Sequence, residues 1–88
     1  MEVEFLNSFL KDIKKVKDAS LKASIETAIL NAEEARGLSG ISNIKKMKGD
    51  QNAYRIKVGD YRIGLWKEGN VLQFARFAHR KDIYKWFP

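Results

Sequence analysis

Eighty-eight residues, 44% of them hydrophobic and only one a proline, suffice for one buried core and are too few for two. The absence of cysteine and the single histidine, His79, exclude disulfide frameworks and leave a transition-metal site without its usual ligands. The formal charge of +6 is uneven: residues 1–44 carry six basic and seven acidic side chains, residues 45–88 eleven and four.

An excess placed in one half makes a local field that draws phosphate polyanions or an acidic protein segment. A solvated lysine-rich surface would produce the same count, so position decides between the two. No stretch approaches the roughly 20 apolar residues of a membrane span, and the first residues lack a signal-peptide pattern. The expectation is one cytoplasmic domain over residues 1–88, with no membrane partner, no metal and no cofactor.

Along the chain, Glu2-Val3-Glu4-Phe5 alternates and predicts a short strand with Val3 and Phe5 inward. Asn7 or Ser8 is positioned to cap a helix. Phe9, Leu10, Ile13 and Val16 form one helical stripe, with Lys11, Lys14, Lys15 and Lys17 largely outside it. Asp18-Ala19-Ser20 interrupts and offers a second cap. Leu21, Ile25, Ala28, Ile29 and Ala32 make a second stripe, and Gly37 stands where a left-handed helix stop is cheapest. Two antiparallel helices follow.

Residues 38–49 read as a connection that packs down, with a strand or helical turn near Ile44-Lys45-Lys46. Beyond Gly49 the period becomes two. Tyr54, Ile56 and Val58 alternate with Arg55 and Lys57; Gly59-Asp60 turns; Tyr61, Ile63 and Leu65 alternate with Arg62, Gly64 and Trp66. After Glu68-Gly69-Asn70, residues 71–78 form a third run whose alternation is less clean. A bulge there would account for it, and the direction of Arg76 stays open. The result is a β-α-α-β-β-β order: an α+β two-layer domain in which an N-terminal strand and helical hairpin pack on an antiparallel meander.

With the apolar alternates turned to the helices, Arg55, Lys57, Arg62, Gly64 and Trp66 share the other face. Like charges opposite each other across a ladder cost stability. Placing them there without interleaved acids points to use, although edge protection against aggregation would also place cations on strands. After the last strand come His79-Arg80-Lys81-Asp82 and the aromatic run Tyr84, Trp86 and Phe87, for which packing onto the sheet is the simplest role of the last two.

The run Tyr54-Arg55-Ile56-Lys57-Val58-Gly59-Asp60-Tyr61-Arg62-Ile63-Gly64, followed by Ala78-His79-Arg80-Lys81-Asp82-Ile83-Tyr84, resembles the RelE/ParE superfamily of type II toxin–antitoxin toxins, its RelE branch in particular. The resemblance runs over nearly the whole chain. It implies a ribosome-dependent, metal-independent messenger-RNA endoribonuclease that enters the 30S A site and cuts the codon there, held in check by a cognate antitoxin. It also implies a reactive set: Arg55 and Lys57 on the first meander strand, Arg62 on the next, then Arg80 and Tyr84.

Lys57, Arg62, Arg80 and Tyr84 are the expected catalytic residues. Arg55, Lys57, Arg62, Trp66, His79 and Lys81 are the expected RNA or phosphate contacts. At Arg55 the best-studied branch has lysine; an arginine grips phosphate as a fork and does not accept a proton. Tyr84 and Lys57 both remain candidates for the general base, with Arg80 at the leaving group. Trp66 could stack a base or be covered by antitoxin, and His79 could act on the proton or simply end a strand. The rival functions are a ParE-like inhibitor of DNA gyrase and a catalytically weak module that only binds antitoxin.

Overall fold

The computed structural model describes all residues, Met1–Pro88. The elements run β1 (Glu2–Phe5), α1 (Asn7–Lys14), α2 (Ala19–Glu34), a 3-10 turn (Leu38–Gly40), β2 (Ile44–Lys46), β3 (Ala53–Val58), β4 (Tyr61–Glu68), β5 (Val71–His79) and α3 (Ile83–Trp86). The β3–β4–β5 meander forms as the alternation predicts. Its two turns place Gly59 and Gly69 at φ of 59° and 57°, a region that side chains with a Cβ avoid.

The meander is extended at both ends into a five-stranded mixed sheet of order β1-β5-β4-β3-β2. β2 pairs antiparallel with β3, and β1 lies parallel to β5 with Phe5 opposite Phe74. The N-terminal strand is thus part of the sheet, not a layer packed on it. Val3 is half-buried there, and Phe5, at the sheet's edge, is 41% exposed although its ring meets Phe9 and Phe74 at 5.9 and 5.6 Å.

The helices bury Phe9, Ile25 and Ala32 against Ile56, Val58, Ile63, Leu65, Leu72, Phe74 and Phe77. Asp18 caps α2 as expected, its carboxylate accepting from Leu21 N–H at 2.8 Å. Two local expectations differ. α1 begins without a side-chain cap, because Ser8 Oγ donates instead to the Ala75 carbonyl at 2.6 Å. α2 stops at Glu34 through an extended Ala35, and Gly37 is itself extended at φ −165°, so no left-handed stop is used.

Those departures share a cause. β1 covers the outer edge of β5 only as far as Phe74, and beyond it α1 lies along the exposed backbone. Leu6 N–H donates to the Phe74 carbonyl at 2.9 Å, Ser8 takes the Ala75 carbonyl, and the Asp12 carboxylate accepts Phe77 N–H at 2.9 Å. One helix face, at the i, i+4 spacing of Ser8 and Asp12, does the work of a missing strand.

The unclean alternation of the third run is a bulge. The β4–β5 register steps from Gly64 opposite Arg76 to Leu65 opposite Phe74, leaving Ala75 as the extra residue. Leu72, Phe74 and Phe77 therefore all face the helices, and Arg76 shares the far face with Gly64. That face is partly covered. Ile83 and Phe87 bury themselves against Met47, Ala53 and Ala75, with Trp66 at the margin.

Gly64 makes this second cluster possible, since a Cβ there would stand 2.5 Å from Phe87 Cδ2. Gly64→Ala is expected to cost about 1–3 kcal/mol through overpacking, read as a lower midpoint in urea. In a Phe87→Ala background the same change should be close to neutral. Asp12→Ala strands the Phe77 N–H and the Arg76 guanidinium and should lose roughly 1–3 kcal/mol by the same measurement.

Candidate nucleic-acid interface

β-pairing assembles the far face in two rows. Lys57 lies directly opposite Arg62, which lies opposite Ala78. Two residues along the strands, Lys45 lies opposite Arg55, Arg55 opposite Gly64, and Gly64 opposite Arg76. Partners within a row are about 5 Å apart at Cβ, and the rows are about 6.6 Å apart, a step comparable to that between successive phosphates of a nucleic-acid strand.

The cations are uncompensated. The ion pairs in the structure are Arg76–Asp12 and Lys85–Asp82, so Lys45, Arg55, Lys57, Arg62, Arg80 and Lys81 have no carboxylate partner. Arg55 donates one Nη1–H to the Asn43 carbonyl at 3.1 Å. Arg62 Nη1 donates to the carbonyls of Gly59 and Tyr61, both at 2.9 Å. Each guanidinium is steadied by backbone through one nitrogen while the rest of its fork stays free for a ligand.

Arg80 follows β5 two residues beyond Ala78, and its N–H donates to the Asp60 carbonyl at 2.8 Å, which ties it to the β3–β4 turn beside Arg62. Tyr84 rides on α3 and is 67% exposed, with no hydrogen bond. Its direction follows from α3. Ile83 and Phe87 are turned down into the sheet, and Trp86 leans toward β5, where its ring lies 5.5 Å from Arg76 Cζ. Successive helical residues advance by about 100°, so Tyr84 projects from the flank opposite Trp86. Arg55, Lys57 and Arg62 thus share the far face with Arg80 at its β3–β4 end, and α3, which carries Tyr84, lies over the same face.

The remaining candidates lie differently. Trp66 belongs to the second cluster, its ring 4.7 Å from that of Phe87 and tilted by 59°, so one of its faces is already taken. His79 pairs with Tyr61 and lies edge-on to its ring at 5.4 Å; Tyr61 in turn stacks on Phe77 at 5.1 Å, on the helix side of the sheet. The structure thus separates His79 from the cation rows, and its Nδ1 accepts Lys81 N–H at 3.2 Å, ordering the turn. Lys81 is exposed in that turn. Lys45 was not among the sequence candidates. Alternation flagged 44–46 as a possible strand, but only the β2–β3 register brings Lys45 opposite Arg55.

A helical hairpin on one side of a mixed five-stranded sheet and a basic surface on the other define a class of small toxins, and sequence comparison agrees. The model of the family described as "ParE toxin of type II toxin-antitoxin system, parDE" matches residues 3–84, and the chain belongs to that family. It is 40% identical over 89 residues to Toxin RelE3 of Methanocaldococcus jannaschii, with both chains covered in full. The RelB–RelE antitoxin–toxin complex from Methanococcus jannaschii superposes with a TM-score of 0.80 at 39% identity, covering 97% of this chain and 99% of the other.

The archaeal RelE–RelB complex from Pyrococcus horikoshii has the same fold, with a TM-score of 0.72 at 16% identity and coverage of 90% and 93%. The protein is a type II toxin with the RelE fold. No helix is long and apolar enough to cross a membrane.

A surface of facing like charges should resist folding. Lys57→Glu, which places an acid opposite Arg62, is expected to raise stability by about 0.2–1 kcal/mol at low salt. Urea denaturation at two ionic strengths checks this, since the gain should shrink as salt rises.

Proposed function

We propose that this toxin is a ribosome-dependent endoribonuclease that cuts messenger RNA in the 30S A site, and that an acidic segment of a cognate antitoxin restrains it. The observation that carries this reading is the set of Arg55, Lys57 and Arg62 on adjacent strands, with Arg80 tied to the β3–β4 turn, none of them paired with a carboxylate. Such a set suits a phosphodiester whose own 2′-hydroxyl is the nucleophile, so no bound water has to be activated.

In this mechanism the 2′-oxygen attacks the adjacent phosphorus, in line with the departing 5′-oxygen. Its proton passes to Tyr84 as phenolate or to Lys57 as free amine. Arg62 and Arg55 grip the non-bridging oxygens as charge builds on the phosphorane. Arg80 donates hydrogen bonds to the leaving 5′-oxygen, which takes a proton from solvent water to depart as a hydroxyl, with a 2′,3′-cyclic phosphate left behind. Phenol and ammonium are both poor acids or bases at neutral pH, so the rate depends on placement. Lys45 on β2 and Lys81 in the turn after β5 make further phosphate contacts.

The ribosome's part is to hold the codon with its 2′-hydroxyl in line, and action on ribosomes puts the protein in the cytoplasm. A cationic, partly apolar surface is also what an acidic, extended polypeptide would cover. Relatives of the same fold have been solved as toxin–antitoxin complexes, which supports an antitoxin partner for this chain.

Incubation with programmed ribosomes and mapping of new 5′ ends tests the reading. Cuts should fall in the A-site codon, and free RNA should stay intact. Arg62→Ala is expected to lose on the order of 10²–10³ in single-turnover rate, and Tyr84→Phe at least as much while ribosome binding persists. The family model bears the ParE name, so gyrase is the second target to assay. Growth arrest with a DNA-damage response and intact messenger RNA would select it over RNA cleavage.

A further inference from the structure

Arg76 is the one arginine of the far face that a carboxylate neutralises. Its Nε meets Asp12 Oδ2 at 2.7 Å and its Nη2 meets Asp12 Oδ1 at 3.2 Å, a two-point grip that fixes the guanidinium plane. Asp12 is itself held, because the same Oδ2 accepts the Phe77 N–H. The side chains are 29% and 12% exposed, so the pair is set into the molecule and unavailable as a free phosphate clamp. The Trp86 indole rests on the guanidinium, 5.5 Å from Cζ, although it is itself 58% exposed.

The consequence lies in how α3 is anchored. It is a single turn with no side-chain cap. Ile83 and Phe87, one turn apart, are its buried points, and two points on one line hold a short helix down without fixing its roll about that line. The contact that lies off the line is Trp86 on Arg76. Tyr84 projects from the opposite flank, so any roll released at Trp86 becomes a sideways displacement of the phenol.

We propose that Asp12, Arg76 and Trp86 form a latch that sets the roll of α3, and that they are positioning residues which act on RNA cleavage through Tyr84 alone. This inference rests on the nuclease reading above. Arg76 also joins three elements distant in sequence, α1, β5 and α3, so the placement of the catalytic phenol depends on the helix that completes the β5 edge. The two-point grip and the flat seat both require arginine; a lysine would keep the charge and lose the plane.

Single-turnover cleavage on programmed ribosomes, titrated with toxin, tests the latch. Trp86→Ala is expected to slow cutting roughly tenfold to a hundredfold with an unchanged half-saturating concentration, and Trp86→Phe to restore most of the rate. In a Tyr84→Phe background with its residual rate, loss of Trp86 should add nothing. An unchanged rate for Trp86→Ala, a shifted half-saturation, or additive losses in the double variant would overturn the proposal, the last two marking Trp86 as a substrate contact.

Amide NMR spectra of Asp12→Asn and Arg76→Lys give a readout that does not need cleavage. Shifts at Tyr84 and Lys85, with the β3 and β4 amides unmoved, are expected, and an unperturbed α3 would overturn the latch. If the wild-type protein itself fails to cut, the nuclease reading falls and these spectra alone decide whether the latch exists.

Discussion

The outer edge of β5 is the constraint on which the rest of the molecule depends. A strand edge left open exposes donors and acceptors that must find partners, and here β1 supplies them only up to Phe74. α1 finishes the task with side chains, Ser8 to a carbonyl and Asp12 to an N–H. Because Asp12 also grips Arg76, the carboxylate that closes the sheet orders the far face as well. The bulge at Ala75 sits within this stretch, and it is what turns Phe77 back to the helices and leaves Arg76 beside Gly64.

The two sides of the sheet obey opposite rules. Under the helices, the largest fully buried side chains pack against one another with no buried polar group left unpartnered. On the far side, Arg55 and Arg62 lie among facing lysines with only backbone carbonyls to steady them, and Arg76 alone meets a carboxylate. That arrangement sacrifices stability locally, and a phosphate or an acidic polypeptide is the kind of ligand that recovers it. The second cluster under α3 uses Gly64 and Phe87 to seat that helix over the far face of the sheet.

Comparison with relatives fits this division. The fold is shared by structures at 16% identity, while the near relatives at 39% and 40% cover essentially the whole chain. A helical hairpin over a mixed sheet tolerates wide change in its apolar residues provided that volume and period are kept.

Much of this was legible in the chain itself. Alternation over 54–66 names which residues of β3 and β4 share a face, the glycines at 59 and 69 mark both turns, and the two helical stripes dictate the covering layer. These are local periodicities, set by the geometry of one strand or one helix. Tertiary structure alone decided what depends on partners far apart in sequence: β1 alongside β5, Lys45 opposite Arg55, Asp12 beneath Arg76, and α3 laid over Gly64. It also took Ser8 away from its helix cap and sent His79 to the helix side. A side chain's period is written in its neighbours, but its partner is chosen by the packing of the whole chain.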